Sequence, residues 1–142
     1  MYVCSAMMTQ MKNLIIYLLV QYVFISCRNE GYEKAEDAEE AGREFIRASL
    51  DGEYDKALFY LLKDSTNTNV MLLDKWKKDY TRRKQEDKIN YKDANIIALR
   101  ITEVNDSTAE YVYTNTFEVA DTTTIKIVKV NGEWLVDLKD IH

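Results

Sequence analysis

Hydrophobic and polar positions change their spacing near residue 90, which divides the chain into two kinds of segment. Before that point, apolar residues recur every three or four positions, as on one face of an α-helix. After it, they recur at every second position, as on one face of a β-strand. We therefore predict an α+β domain, with helices first and an antiparallel sheet after them.

Three N-terminal helices are predicted, over about residues 35–50, 53–63 and 70–88. Gly52 suits the end of the first helix, and Thr68 or Asn69 suits the cap of the third. The last part of the third helix mixes basic and acidic residues. Because mixed signs weaken any electric field, a solvated helix face is favoured there over a basic binding strip.

About four strands follow, and the turn between the last two is the clearest local prediction. Asn131-Gly132 is the sequence typical of a two-residue β-hairpin loop. That loop predicts the pairs Val130–Glu133, Lys129–Trp134, Ile127–Val136 and Ile125–Leu138, with Lys126 opposite Asp137. For the earlier hairpin, a three-residue loop predicts the pairs Leu99–Tyr113 and Ile101–Tyr111, and avoids placing Glu103 against Glu110.

An apolar run over residues 14–25 lies upstream of the helices and ends just before Cys27. Its 12 residues are fewer than the roughly 20 that span a bilayer, and match the apolar region of a signal peptide. The Ser26-Cys27 pair resembles the lipobox of bacterial lipoproteins, which implies cleavage before Cys27 and acylation of its thiol. A short buried helix or an uncleaved anchor is the alternative.

These features divide the chain into three parts. Residues 1–26 are predicted to be a signal peptide, with residues 1–10 an over-extended start upstream of Met11. Residues 27–34 form a lipidated tether, and residues 35–142 form a single α+β domain. The protein is therefore expected at the cell envelope, anchored to the membrane by its lipid and facing the periplasm or the exterior.

Charge and composition exclude several functions. Residues 1–26 carry one basic residue and no acid, so the remaining 116 residues hold 18 basic and 24 acidic side chains. This excess of acid argues against a nucleic-acid partner. Cys27 and His142 are the sole cysteine and histidine of that part, so no internal disulfide, histidine triad, metal site or cofactor is predicted.

Two segments resemble a known fold, namely Asp51-Gly52-Glu53-Tyr54-Asp55-Lys56-Ala57 and the last hairpin from Val128 to Val136. The chain is similar to the nuclear transport factor 2-like, or cystatin-like, fold. More narrowly, it resembles small bacterial lipoproteins of unknown function with a lumazine-binding-like domain. The resemblance implies helices packed on a curved, cone-like sheet with one open end, a fold that serves both enzymes and binding modules.

An open cone would hold a ligand pocket lined by Leu99, Tyr111, Tyr113, Ile127 and Trp134, whereas a closed cone is the expected case for so small a domain. Enzymes of this fold that are isomerases or dehydratases pair a tyrosine with an acid or a histidine. The inward strand positions supply no acid, so a non-catalytic role in ligand binding or protein association is favoured. A small enzyme and a structural envelope subunit are the alternatives, and in a closed cone the same residues are simply core.

Three loops share an Asp–hydroxyl–Thr pattern, centred on Ser65, Ser107 and Thr122. The pattern resembles an O-glycosylation sequon of exported proteins in one Gram-negative group. Ordinary turn chemistry explains it equally well, since Asp, Ser and Thr side chains hydrogen-bond to the backbone of turns.

Overall fold

The computed structural model describes residues 31–139, and confirms the α+β class. Its elements are α1 (Ala38–Asp51), α2 (Tyr54–Phe59), α3 (Thr68–Arg82), α4 (Gln85–Asp93), β1 (Ile96–Asn105), β2 (Thr108–Asn115), β3 (Thr123–Val130) and β4 (Glu133–Asp137). The predicted signal peptide, Cys27 and His142 lie outside the described residues. Within residues 31–139, no helix combines the length and the apolar character that a membrane span requires.

Helix α1 has well-defined ends. The Asp37 side chain accepts a hydrogen bond from the Glu40 amide at 2.8 Å, which caps the first turn. At the other end Gly52 adopts φ 78° and ψ 15°, the left-handed conformation that glycine tolerates. One face of α1 is buried against the sheet, through Ala38, Ala41, Phe45 and Ile46.

Helix α2 is shorter than predicted and stops at Phe59. The chain then runs beside β4, where Leu61 forms a parallel bridge with Val136. Leu62 donates its amide to the Val136 carbonyl at 2.9 Å, and Val136 donates to Tyr60 at 2.8 Å. Residues 60–62 therefore cover the outer edge of β4, which explains why the helix does not continue.

The predicted third helix is two helices. Arg83 and Lys84 adopt extended backbone, with ψ 153° at each, and separate α3 from α4. The two helices have different partners: Tyr80 of α3 packs against Gly52 and Tyr54, whereas the end of α4 is held by Arg47. The Arg47 guanidinium donates to the carbonyls of Tyr91, Lys92 and Ala94 at 2.7 to 3.2 Å.

The sheet is antiparallel in the order β1-β2-β3-β4. The last hairpin has the predicted register from Val130–Glu133 to Lys126–Asp137. Asn131 and Gly132 have φ 51° and 81°, as a type I′ turn requires. The Lys129 ammonium lies 5.3 Å from the centroid of the Trp134 ring, as the register predicts. The ladder ends at Asp137, so the predicted pair of Ile125 and Leu138 does not form. Both residues are nevertheless buried.

The first hairpin differs in part from the prediction. Ile101 pairs with Tyr111 as expected, but a bulge between Ala98 and Arg100 makes Ala98 the partner of Tyr113. The bulge shifts the alternation by one residue, so that Ile96 and Ile101 both pack against the core. A second shift in register, between Glu103 and Asn105, precedes the turn. The turn has two residues and closes with Asn105 opposite Thr108.

Part of the predicted tether contacts the domain. The Tyr32 ring lies 5.5 Å from the Phe59 ring, between centroids. Tyr60 donates its hydroxyl to the Glu33 carbonyl at 2.8 Å, and Lys34 forms an ion pair with Glu133. Residues 32–34 thus pack beside α2 and β4, ahead of the predicted start of the domain at residue 35.

Candidate functional site

A cavity of about 320 Å³ opens where β2 ends and β3 begins. The C-terminal halves of α1 and α3 form its sides, and Tyr91 of α4 and the loop between β2 and β3 complete it. Its volume is at the lower end of the roughly 300 to 1,000 Å³ typical of small-molecule sites.

Five aromatic side chains line this cavity: Tyr54, Trp76, Tyr80, Tyr91 and Tyr113. The Tyr54 and Tyr80 rings meet edge to face, with centroids 5.9 Å apart. Tyr54 donates its hydroxyl to the Trp76 carbonyl at 3.2 Å. These contacts fix the rings of α2 and α3 against each other and give the cavity an aromatic wall.

Charged side chains also line the cavity, namely Asp79, Arg83, Glu118 and Asp121. Tyr91 donates its hydroxyl to the Glu118 carboxylate, and the Arg83 guanidinium lies 3.9 Å from the same carboxylate. The guanidinium also lies 4.5 Å from the centroid of the Tyr91 ring. Glu118 therefore accepts from a phenol and faces a cation at the same time.

The loop that carries Glu118 is held by the end of β2. The Asn115 side chain accepts hydrogen bonds from the amides of Phe117 and Glu118, both at 2.9 Å. Thr114 donates its hydroxyl to the Glu118 carbonyl at 2.8 Å. Both side chains are buried, so the position of Glu118 is set by the sheet.

The phenols of the cavity stay protonated at neutral pH. Burial raises the pKa of Tyr54 to about 12, and the nearby Tyr80 and Asp79 side chains add to the effect. Burial also raises the pKa of Tyr113 to about 12, although a hydrogen bond with Thr123 opposes the shift. Burial, and then the hydrogen bond to Glu118, raise the pKa of Tyr91 well above its usual range. Each phenol is therefore a neutral hydrogen-bond donor.

Of the five residues predicted to line a pocket, Tyr113 lines this cavity. Tyr111 and Ile127 are in the interior, 1 % and 0 % exposed. Trp134 packs, half-buried, against the core. Leu99 is 53 % exposed, because the bulge in β1 turns it away from the helices, which corrects its predicted inward orientation.

The acids that line the cavity were not predicted from the sequence, because they do not lie on strands. Asp79 comes from a helix whose charged tail looked solvated, and Glu118 and Asp121 come from a loop. One feature of the sequence does point to Glu118 and Asp121: Asn115 and Asp121 bracket a short segment in which a charged residue lies among apolar ones. Such a segment between two strands suits a loop at the mouth of a cone.

The three residues with the glycosylation-like pattern, Ser65, Ser107 and Thr122, are all exposed and outside helices and strands. Turn chemistry is visible at two of these loops. Asp64 accepts from the Asn69 amide at 3.0 Å, and Ser107 donates its hydroxyl and its amide to the Asn105 side chain. Within residues 31–139, no three His, Cys, Asp or Glu side chains are grouped as a metal site would need.

Comparison with known proteins gives a likeness of structure rather than of sequence. No family model and no curated protein matches the chain. The chain is similar to an NTF-2-like protein of unknown function from Shewanella oneidensis MR-1, with a TM-score of 0.49 and 13 % sequence identity. The match covers 69 % of this chain and 89 % of that one.

Proposed function

We propose that this protein is a non-catalytic binding module of the cell envelope, which holds a small molecule in the cavity between α1, α3 and the end of β2. The observation that carries the proposal is the cavity itself, with about 320 Å³ of space and a wall of five aromatic side chains. Small-molecule sites are usually concave and lined by aromatic and apolar side chains with placed polar groups. Here five aromatic and two aliphatic residues share the lining with seven polar or charged ones.

The polar groups of the cavity suit recognition. Tyr113 presents a hydroxyl that remains protonated. The loop anchored by Asn115 fixes Glu118 at the cavity wall, where the Tyr91 phenol donates to it. These groups are held by the sheet and the helices before any ligand arrives. Such preorganisation lowers the entropic cost of binding.

The proposal places the domain at a membrane surface through a lipid on Cys27. It is supported by the Ser26-Cys27 pair after the short apolar run, and by the short distance along the chain from Cys27 to Tyr32, where contacts with the domain begin. Five peptide units reach at most roughly 18 Å when extended. An acylated Cys27 would therefore keep Tyr32, where the contacts with the domain begin, within about that distance of the lipid attachment.

A melting screen against a metabolite library tests the binding proposal. The wild type should gain thermal stability with at least one compound, because a ligand that binds the folded state raises the melting temperature. Ser49→Phe, which places a ring in the cavity, should abolish that gain. Ser65→Phe, in an exposed loop, is the matched control and should retain it.

Circular dichroism establishes that Ser49→Phe is folded before the comparison is made. A gain in melting temperature that persists in folded Ser49→Phe would place the ligand outside the cavity. No gain with any compound would leave protein association as the better account.

A small enzyme is the second candidate, and the contact between Tyr91 and Glu118 favours it. A carboxylate next to a phenol is a pair that can accept and donate a proton. If the protein is an enzyme, a ligand found by the screen should be converted to product over hours, as followed by mass spectrometry. Glu118→Gln should then stop the conversion, whereas a binding module returns the ligand unchanged.

A further inference from the structure

Among the charged side chains that line the cavity, acids outnumber bases by three to one. Asp79, Glu118 and Asp121 are acidic, and Arg83 is the basic residue among them. The Arg83 charge is engaged locally, 3.9 Å from Glu118 and 4.5 Å above the Tyr91 ring. The cavity is therefore negative overall, and an anionic ligand would meet repulsion from most of its charged groups.

Two aromatic rings of the cavity already have a positively charged side chain of the protein over one face. Arg83 lies over the face of Tyr91, and the Lys88 ammonium lies 5.7 Å from the centroid of the Tyr80 ring. Both distances are within the roughly 6 Å over which an aromatic face attracts a cation. Because the phenols remain neutral, their ring faces attract a cation without adding a formal charge.

From this geometry we infer that the cavity binds a small organic cation, an ammonium group with an apolar body. The inference rests on the proposed binding function and names the class of its ligand. The ammonium is held by the acids that remain beside the Arg83–Glu118 pair, Asp79 and Asp121, and by ring faces that Arg83 and Lys88 do not cover. The apolar body fills the space beside Ile46 and Leu50. This is the chemistry by which aromatic cages hold quaternary ammonium groups.

Three probes of nearly equal shape test the inference by calorimetric titration of the full-length protein. They are choline, its neutral isostere 3,3-dimethylbutan-1-ol and the anion 3,3-dimethylbutanoate. Choline should bind roughly tenfold more tightly than the neutral isostere, and the anion most weakly. The affinity for choline should fall as the salt concentration rises, because an exposed carboxylate such as Asp79 is accessible to salt ions.

One pair of variants on α3 isolates the contribution of the carboxylates. Asp79→Asn removes a charge that lines the cavity, and should weaken choline roughly two- to fivefold while leaving the neutral isostere unchanged. Asp74→Asn is the matched control. Asp74 is as exposed as Asp79, at 52 % against 53 %, and is likewise ion-paired within the helix, but does not line the cavity. It should leave the affinity for choline unchanged.

The outcomes separate this inference from the binding proposal. Equal or tighter binding of the neutral isostere or the anion overturns the cation inference and leaves the binding proposal standing. So does a library screen in which every compound that binds is neutral or anionic. If choline and every library compound fail to bind, both fall. Equal losses of choline affinity in Asp79→Asn and Asp74→Asn also overturn the inference, since they would reflect the general field of the protein.

Discussion

Tyr113 is the residue at which the core and the cavity meet. Its ring packs in the core cluster, 6.1 Å from the Tyr111 ring between centroids, while its side chain also lines the cavity. Its hydroxyl hydrogen-bonds with Thr123 on the neighbouring strand. The same residue therefore contributes both to stability and to the proposed site.

Tyr113→Phe removes the hydroxyl and retains the ring. We expect the free energy of unfolding to fall by about 1 kcal/mol, the net contribution of one hydrogen bond, as measured by chemical denaturation. A ligand bound in the cavity should also bind more weakly. Tyr32→Phe, at a 40 % exposed ring, is the control and should change neither quantity. Unaltered stability and affinity in Tyr113→Phe would show that its hydroxyl has no role.

Asp64 shows how one side chain can begin a helix from outside it. Its carboxylate accepts from the Thr66 hydroxyl and from the amides of Asn69 and Thr68, where α3 starts. These hydrogen bonds favour the ionised form, and lower the pKa of Asp64 to about 2 from its ordinary 3.8. The side chain therefore stabilises the folded state where it is ionised.

A depressed pKa fixes the pH range over which that stabilisation acts. It is fully present above about pH 4 and is lost as the pH falls towards 2. Asp64→Asn should therefore melt at a lower temperature than the wild type at pH 7, and the two melting curves should converge as the pH falls from 4 to 2. A difference that stays constant over this range would mean that the charge of Asp64 contributes nothing.

At the scale of elements, two glycines with positive φ have different surroundings. Gly132, in the last hairpin, has φ 81° and open space where a Cβ would lie. Gly52, at the end of α1, has φ 78°, and a Cβ there would lie 2.6 Å from the Tyr80 ring. Gly52 thus allows α3 to approach α1 closely enough to form one wall of the cavity.

Alanine at each glycine separates backbone strain from this close approach. Gly132→Ala should cost about 1 to 2 kcal/mol, the penalty of a left-handed conformation for a residue with a Cβ. Gly52→Ala should cost about 1 to 3 kcal/mol more, because the new methyl group displaces Tyr80. Chemical denaturation measures both, and equal losses would contradict the close packing. Gly132→Val should be more destabilising than Gly132→Ala, because its side chain is β-branched.

The elements also show which parts of the fold a single sequence can predict. Asn131-Gly132 fixes the last hairpin locally, because turn type and alternating side chains specify the same register. The bulge at Ala98–Arg100 and the break at Arg83–Lys84 have no local sequence mark, since each depends on contacts with distant elements. The pocket predicted for an open cone was assigned to residues of the sheet, of which Tyr113 lines the observed cavity. The charged residues of that cavity come from helix ends and a loop, where alternation along a strand gives no signal.

At the scale of the whole molecule, the location of the protein at a membrane depends on the proposed lipid on Cys27. Cys27→Ser should move the protein from the membrane fraction to the soluble fraction, or leave it unprocessed, and should abolish palmitate labelling. Ser26→Thr retains the cysteine and serves as a control for changes at the cleavage site. Wild-type protein that takes up no lipid label and remains in the cytoplasm would overturn the envelope assignment.

The most direct test of the central claim is an NMR titration that maps where a ligand binds. The ligand is the compound that most raises the melting temperature, added to ¹⁵N-labelled protein. The account predicts that the shifted amide signals cluster at the C-terminal halves of α1 and α3 and at residues 113–123, the elements that enclose the cavity. Shifts confined to the exposed strand β1, with residues 113–123 unaffected, would contradict it.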